Sequence, residues 1–397
     1  MILCLKQVTD TDNHGEINMN TKIMAIIVVA ILGVSAVGAF VILSDDNDGY
    51  DISLARGLAA THEPVWIADA KGFFDEEGVK VNLVSVSGGG DGMTALLSGG
   101  VDMAVSGADT MVRMIDNSDT AMIVGMLECS YRGGYQPFAV MKGYGIQLND
   151  ASSFFTEATG TTVKSGVQLG IDTSTAYYSN WIFYLKDEMA AGHINQAQYD
   201  ILVKVDSGSG GFVKHFSKDQ LVTAFASGNV KVIFTDNVPT AVDTVNAASP
   251  DAAEQQNAPL QPTPVFLTAT GDALEHKSDA IAKVLRALDK ACAFMRNSET
   301  KDEAIQLCVG FRNIETWGVS SQTVVFNSFR WDVCMLYDGE NYLQTLAAVL
   351  DEAYETIDYS DLVVAGRVNY TFLVEMHSDA NFMWDYYSMS YKAYVPA

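Results

Sequence analysis

The stretch VKVNLVSVSGGGDGMTALLSGGVDMAVSGAD, from Val79 to Asp109, constrains the fold more than any other part of the chain. Apolar and polar residues alternate over 79–86, as in a half-buried strand. Glycines follow, then a short helical segment over 91–100, then a second apolar strand over 101–107. Strand, glycine turn, helix and strand in so few residues is the signature of an α/β sheet with helices on its faces.

The rhythm extends in both directions. ISLARGLA (52–59) reads as a strand, and VWIADAKGFFDEEG (65–78) has helical spacing ending at Gly78. ADTMVRMIDN follows as a helix, with strands over 121–127 and 138–143. The pattern then restarts. VQLGID (167–172) is a strand, and STAYYSNWIFYLKDEMAAG is a helix with Ser174 or Thr175 near its N-cap. A strand over 201–206, a helix over 218–229 and a strand over 230–236 come next, then a helix with Pro239 in its first turn. The Pro-, Ala- and Gln-rich stretch 249–264 reads as a linker or an extended crossing segment. Long amphipathic helices are expected over 277–298 and 341–357. In the first, Ile281, Val284, Leu285, Leu288, Ala291 and Cys292 mark the apolar face. The tail from Val363 to Ala397 is aromatic and is expected to pack against the body.

The 397 residues suffice for two lobes, and 48% hydrophobic residues suffice for their cores. The formal net charge of −25 argues against nucleic acid and anionic lipid as partners. The run from Ile23 to Leu43 has no charge, is preceded by Lys22 and is followed by SDDND. Its length suits a membrane anchor with the bulk of the chain outside the cell. A cleaved signal is the rival reading, but the run exceeds a usual signal core and no A-x-A site follows. Residues 1–22 read as a short cytoplasmic leader, or partly as sequence ahead of a later start at Met19 or Met24. The five cysteines show no CxxC spacing, which leaves a disulfide among Cys129, Cys292, Cys308 and Cys334 open.

No catalytic pattern emerges. HEPVW lacks the second histidine of HExxH, no GxSxG elbow occurs, and no lysine follows GGGDGMT. No metal and no cofactor are expected. What remains is a set of small, polar strand ends: 61–64, 106–110, 129–134, 172–178 and 235–239. Several open helices, whose free N–H groups suit a carboxylate, sulfonate or phosphate.

EPVWIADAKGFFDEEGVKVNLVSVSGGGDGMTALLSGGVDMAVSGADT resembles the first lobe of ABC-transporter substrate-binding proteins of the nitrate, sulfonate, taurine and thiamine-precursor (hydroxymethylpyrimidine) type. AKGFFDEEGVKVNLV and LLSGGVDMAVSG carry the match. LGIDTSTAYYSNWIFYL, LVTAFASGNVKVIFTDNVP and KSDAIAKVLRALDKACAFM extend it to roughly residues 50–360, with Lys231 and Val232 where Asp-Ala is usual.

The resemblance implies a type II periplasmic-binding-protein architecture, with lobe one over 50–138 plus 265–397 and lobe two over 139–264. It implies a cleft lined by Thr61, His62, Glu63 and Trp66, then Gly89, Gly90 and Asp91, then Ser106, Gly107 and Asp109. The second lobe would add Thr173, Ser174, Thr175, Tyr178, Asp236 and Asn237. The implied function is not enzymatic: an extracytoplasmic component of an ABC importer. It would capture a small organic or anionic solute by lobe closure and pass it to a membrane permease with its ATPase. A monomer is expected, held at the outer membrane face by the anchor, or secreted if the segment is cleaved. A ligand-sensing ectodomain is the alternative, and a pyrimidine-synthase-like enzyme on the same fold a weaker one. The loops hold more acids (Glu63, Asp91, Asp109, Glu128, Asp172, Asp236) than bases (Arg113, Arg132). If several face the cleft, a neutral or cationic solute such as an aminopyrimidine or an amine fits better.

Overall fold

The computed structural model describes residues 49–397, apart from 58, 87, 119, 128–135, 173–174, 207, 209, 236–237, 259–263, 313–317, 355–365, 378–380, 386–389 and 396–397. The anchor expected at 23–43 and its leader lie outside the described residues. Among the described residues no helix is long and apolar enough to cross a membrane.

Two sheets organise the chain. The first is built from β1 (Ile52–Arg56), β2 (Val81–Ser85), β3 (Met103–Gly107) and β4 (Met122–Leu127). The second is built from β5 (Gln136–Met141), β6 (Leu169–Asp172), β7 (Val213–Phe216), β8 (Val232–Phe234) and β9 (Ala253–Ala258). The chain then returns to the first with β10 (Val265–Ala269), β11 (Val333–Leu336), β12 (Met383–Asp385) and β13 (Ser390–Lys392). The strand orders are β13-β12-β11-β4-β10-β3-β1-β2 and β7-β6-β8-β5-β9. The two passages between sheets fall at 128–135 and 259–263, outside the described residues. Both sheets are mixed. β1 pairs in parallel with β2 and β3, and β6 with β7 and β8. The strands flanking each passage run antiparallel to their neighbours.

The helices are α1 (Glu63–Ala70), α2 (Phe73–Glu76), α3 (Gly89–Leu97), α4 (Ala108–Asn117), α5 (Thr175–Ala190), α6 (Gln196–Leu202), α7 (Lys218–Ala226) and α8 (Val238–Ala248). After the return come α9 (Gly271–His276), α10 (Ser278–Arg296), α11 (Lys301–Arg312), α12 (Val319–Ser328), α13 (Gly339–Tyr354) and α14 (Thr371–Met376). The apolar stripe read for α10 is buried throughout, from Ile281 to Cys292. It packs tightly on the sheet: a Cβ at Gly125 would lie 3.2 Å from Leu285. Each such side chain contributes about 1.5–3 kcal/mol by leaving water.

Several expectations need correcting. The helix expected over 65–78 is broken, because Gly72 adopts φ 70° between α1 and α2. Only a glycine enters that left-handed region without strain. The strand expected over 201–206 is instead the end of α6 plus a single bridge from Val205 to Val213. Of the two readings of 249–264, a linker gives way to an extended segment: it contains β9, an edge strand paired with β5 over six residues. Its polar composition suits an edge half-open to water. Gln256 uses both ends of its amide, accepting from Leu148 N and donating to the Ile146 carbonyl.

The aromatic tail adds β12 and β13 to the rim of the first sheet. There the Arg330 guanidinium sits 3.3 Å from the Trp384 ring centroid and 4.8 Å from that of Tyr391. Cys292 and Cys308 are buried free thiols, Cys334 is buried, and Cys129 lies outside the described residues.

The core of the second sheet centres on Trp181 of α5. It is fully buried against Phe154 and Phe212 and donates from Nε1 to the Leu202 carbonyl at 2.9 Å. Trp181→Ala is expected to cost about 3–5 kcal/mol, read as a lower urea midpoint.

Candidate functional site

β1, β2 and β3 are parallel, so their carboxyl ends share one edge of the first sheet. Open α/β sheets bind ligands at such edges. Three helices start there: α1 after β1, α3 after β2 and α4 after β3. None has a side-chain hydrogen bond capping its N-terminus. α1 runs on from a 3₁₀ turn over Ala60–His62, so its Glu63 N–H bonds the Ala60 carbonyl and Pro64 has none to offer. In α4 the Ala108 N–H bonds the Pro264 carbonyl. The remaining first-turn N–H groups of α3 and α4 carry partial positive charge.

Glycine brings these starts together. A Cβ at Gly89 would stand 3.3 Å from the Ser106 backbone and side chain, and one at Gly57 would stand 3.4 Å from Gly88. Beside Gly88 and Gly90 the space is open. Gly89 therefore permits close packing of α3 on the end of β3, while its neighbours leave room beside the helix start.

Electrostatics at this edge differ from a count of charges. His62 is buried, and its Nδ1 accepts from Gly57 N at 2.9 Å. Burial, with the Arg56 charge beside it, lowers its pKa from 6.5 to about 4. It is neutral at physiological pH. Glu63 is fully buried, with Oε1 accepting from Arg312 Nη2 at 2.7 Å and Gln322 Nε2 at 2.8 Å. Burial pushes its carboxyl up, against the pull of Arg312, Gln322 and the Cys308 thiol. Its charge is thus balanced within the core.

Trp66 is fully buried and donates from Nε1 to the Gly57 carbonyl at 3.1 Å. Tyr178 is buried in the second lobe's core, where its hydroxyl donates to the Val203 carbonyl at 2.5 Å. The polar atoms of Glu63, Trp66 and Tyr178 named here serve the fold. Thr61, Gly89 and Gly107 are half-buried, Gly90 and Asp91 exposed, and Ser106 buried. Thr173, Ser174, Asp236 and Asn237 lie outside the described residues. Thr175 opens α5.

Asp109, in the first turn of α4, accepts a short hydrogen bond from the Ser179 hydroxyl on α5. Both residues are buried, and they come from the two different sheet systems. α13 packs against both helices. A cavity of ≈ 350 Å³ opens between α5 and α13, lined in part by Asn180, Lys186, Asp187, Tyr337, Asp338 and Asn341.

Two residues escaped the sequence reading. Arg56 ends β1 at the same edge, and its guanidinium Nε is buried without a hydrogen-bond partner among the described residues. The signal was a lone base directly before a glycine at a strand end. Ser179 had no signal, because only the lobe contact singles it out on α5.

Comparisons with known proteins agree with this layout. The NMT1/THI5 like family model matches residues 59–127, which hold α1 to β4. A stretch of 51 residues is 43% identical to YtlA of Bacillus subtilis (strain 168), covering 13% of this chain and 15% of that protein. Among solved structures, the periplasmic aliphatic sulphonate binding protein SsuA from Escherichia coli superposes with TM-score 0.60 at 12% identity, over 81% of this chain and 98% of that one. The alkanesulfonate-binding protein SsuA from Xanthomonas axonopodis pv. citri gives 0.57 at 12%, over 80% and 97%. The periplasmic nitrate-binding protein NrtA from Synechocystis PCC 6803 gives 0.56 at 15%, over 82% and 87%. The chain shares the periplasmic-binding-protein fold with all three.

Two outcomes are expected. Arg312→Met strands the Glu63 carboxylate in the core and should cost about 3–5 kcal/mol in denaturant unfolding, with much of the loss recovered by adding Glu63→Leu. His62 has a folded pKa below its unfolded value. Its contribution to stability is therefore present above pH 6.5 and lost as pH falls toward about 4. The loss is on the order of 3 kcal/mol, and His62→Asn should flatten this part of the stability profile, measured between pH 4.5 and 7.

Proposed function

We propose that the chain is the extracytoplasmic solute-binding component of an ABC importer, taking a small organic solute with an anionic group between its lobes. It delivers that solute to a membrane permease and its ATPase. The observation that carries this reading is the meeting of the first turns of α3 and α4, neither capped by a side chain, with the Arg56 guanidinium at one sheet edge. An anion there gains N–H donors and a charge-assisted partner together. The fold shared with sulfonate- and nitrate-binding proteins points the same way.

The acids that argued for a cationic solute weigh less in this arrangement. Glu63 is balanced by Arg312, and Asp109 is engaged by Ser179. The solute contacts in this reading are Arg56, Thr61, the first turn of α3 from Gly89 to Asp91, and Gly107. In this reading Thr173, Ser174, Asp236 and Asn237, outside the described residues, add contacts from the second lobe. The contact between α4 and α5 is the closing contact of the lobes.

Isothermal titration with an alkanesulfonate, nitrate, an aminopyrimidine and an alkylamine tests the reading. Micromolar binding of an anion is expected, weakened about tenfold or more by Arg56→Gln. Binding confined to the amine or the aminopyrimidine would overturn the anionic assignment.

A further inference from the structure

The far end of α5 carries a second group of ligand-type atoms. Asp150, Glu188 and His193 each place one donor atom within 4.8 Å of the others. Among the described residues this is the one such group of metal-type donors. It lies in the last turn of α5, thirteen residues beyond Thr175. At 1.5 Å per residue that is about 20 Å from the helix start that faces the solute edge.

The local fold holds each donor in place. Asp150 caps a short 3₁₀ turn over Ala151–Phe154, its Oδ1 accepting from Ser152 N at 2.9 Å. Glu188 is buried, and its Oε2 accepts from Ala151 N at 2.6 Å. That bond ties the end of α5 to the turn that carries Asp150. Past Ala190 the chain reverses at Gly192, φ 78°, and the His193 backbone N–H bonds the Glu188 carbonyl at 3.0 Å. This delivers the His193 ring, Nδ1 3.0 Å from Glu188 Oε2, to the same point from the solvent side. Its side chain is 43% exposed, so an ion has a path in.

A separate observation points to a missing occupant. Tyr184 lies one turn before Glu188 on α5 and is 1% exposed. Its hydroxyl is buried without a hydrogen-bond partner among the described residues. Burial, then the charges of Glu188 and Asp150, push this phenol well above its ordinary range. A buried hydroxyl one helical turn from Glu188, without a hydrogen-bond partner among the described residues, is costly without a further group. An ion, or a water on it, placed between the carboxylates would supply that group.

We propose that Asp150, Glu188 and His193 form a divalent-metal site on lobe two, away from the solute edge, with Zn²⁺ the best-matched ion. The imidazole nitrogen suits a borderline cation better than a hard one, and the two carboxylate oxygens accept it. Two negative carboxylates and a neutral imidazole also balance a dication. At zinc bond lengths of about 2.0–2.2 Å, tetrahedral donors stand roughly 3.3–3.5 Å apart. Small side-chain rotations of Asp150 and His193, the two less buried ligands, bring the trio to that spacing. The fourth position falls to water, with the Tyr184 hydroxyl behind it. The ion would pin the 3₁₀ turn to the end of α5, and so act on lobe two rather than on the solute.

Isothermal titration of zinc chloride into the chelator-treated, full-length chain tests this, with magnesium chloride as control. One zinc per chain with a dissociation constant below about 10 µM is expected, along with a rise in Tm of about 3 °C or more. His193→Ala and Asp150→Asn should each weaken zinc at least tenfold while leaving solute binding unchanged. Tyr184→Phe should weaken it severalfold. Absence of zinc binding, or an affinity that His193→Ala and Asp150→Asn leave unmoved, would overturn the site. The exposed His193 makes its alanine variant safe for folding, and circular dichroism of both variants verifies this.

Discussion

β10 is the strand on which the architecture depends. It lies between β3 and β4, antiparallel to both, and is buried at every position. β3 and β4 are therefore joined in the sheet only through residues 265–269. Those residues follow the whole second sheet in sequence. The first sheet is thus closed by a segment that must travel back from the other lobe, and the same journey makes β5 and β9 neighbours at the start and end of lobe two. Each sheet keeps its own core, and besides the passages the helices α4, α5 and α13 join the two. The division into two sheets follows from where one strand is inserted.

The return also supplies charges the first segment lacks. Glu63 sits at the N-terminus of α1, fully buried, and its counter-ion is 249 residues later in sequence. Removing an ion from water without a partner costs more than any single packing contact returns. α1 can therefore bury its first turn only once α11 and α12 have brought Arg312 and Gln322 against it. The strand-end edge is held from behind by this contact and from the side by Trp66 and His62 bonding to Gly57. Such bracing holds the helix starts in place against the first sheet.

Much of this was legible from residue order alone. The alternation of strands and helices around Val79–Asp109, the apolar stripe of α10 and the restart near 167 all come from periodicities set by local geometry. The misreadings share one cause. β9 reads as a linker because an edge strand needs few apolar residues. The break at Gly72 hides inside a helical pattern that continues on both sides. Asp150, Glu188 and His193 have no spacing that names them, since a turn, a helix end and a reversal meet only in three dimensions. Arg56 was visible as a residue, but nothing in its neighbours tells that its Nε would be buried without a partner.

The contrast matters most for charge. Six acids in the strand-end loops suggest a site hostile to anions, and with a net charge of −25 the whole surface agrees. Formal charge at a position is not the charge a solute meets. Burial with Arg312 cancels Glu63 locally, and the Ser179 hydroxyl turned toward Asp109 offsets part of its field. His62 contributes none, because its imidazole stays neutral until pH falls toward about 4. What remains at the edge is Arg56, the first turns of α3 and α4 without side-chain caps, and the exposed Asp91 on the first turn of α3. At short range in a partly dry crevice, oriented donors outweigh distant surface acids, which water and salt screen over about 10 Å. An acidic chain can thus offer a local anion site, and the acidic exterior then sets the rate of approach more than the strength of binding.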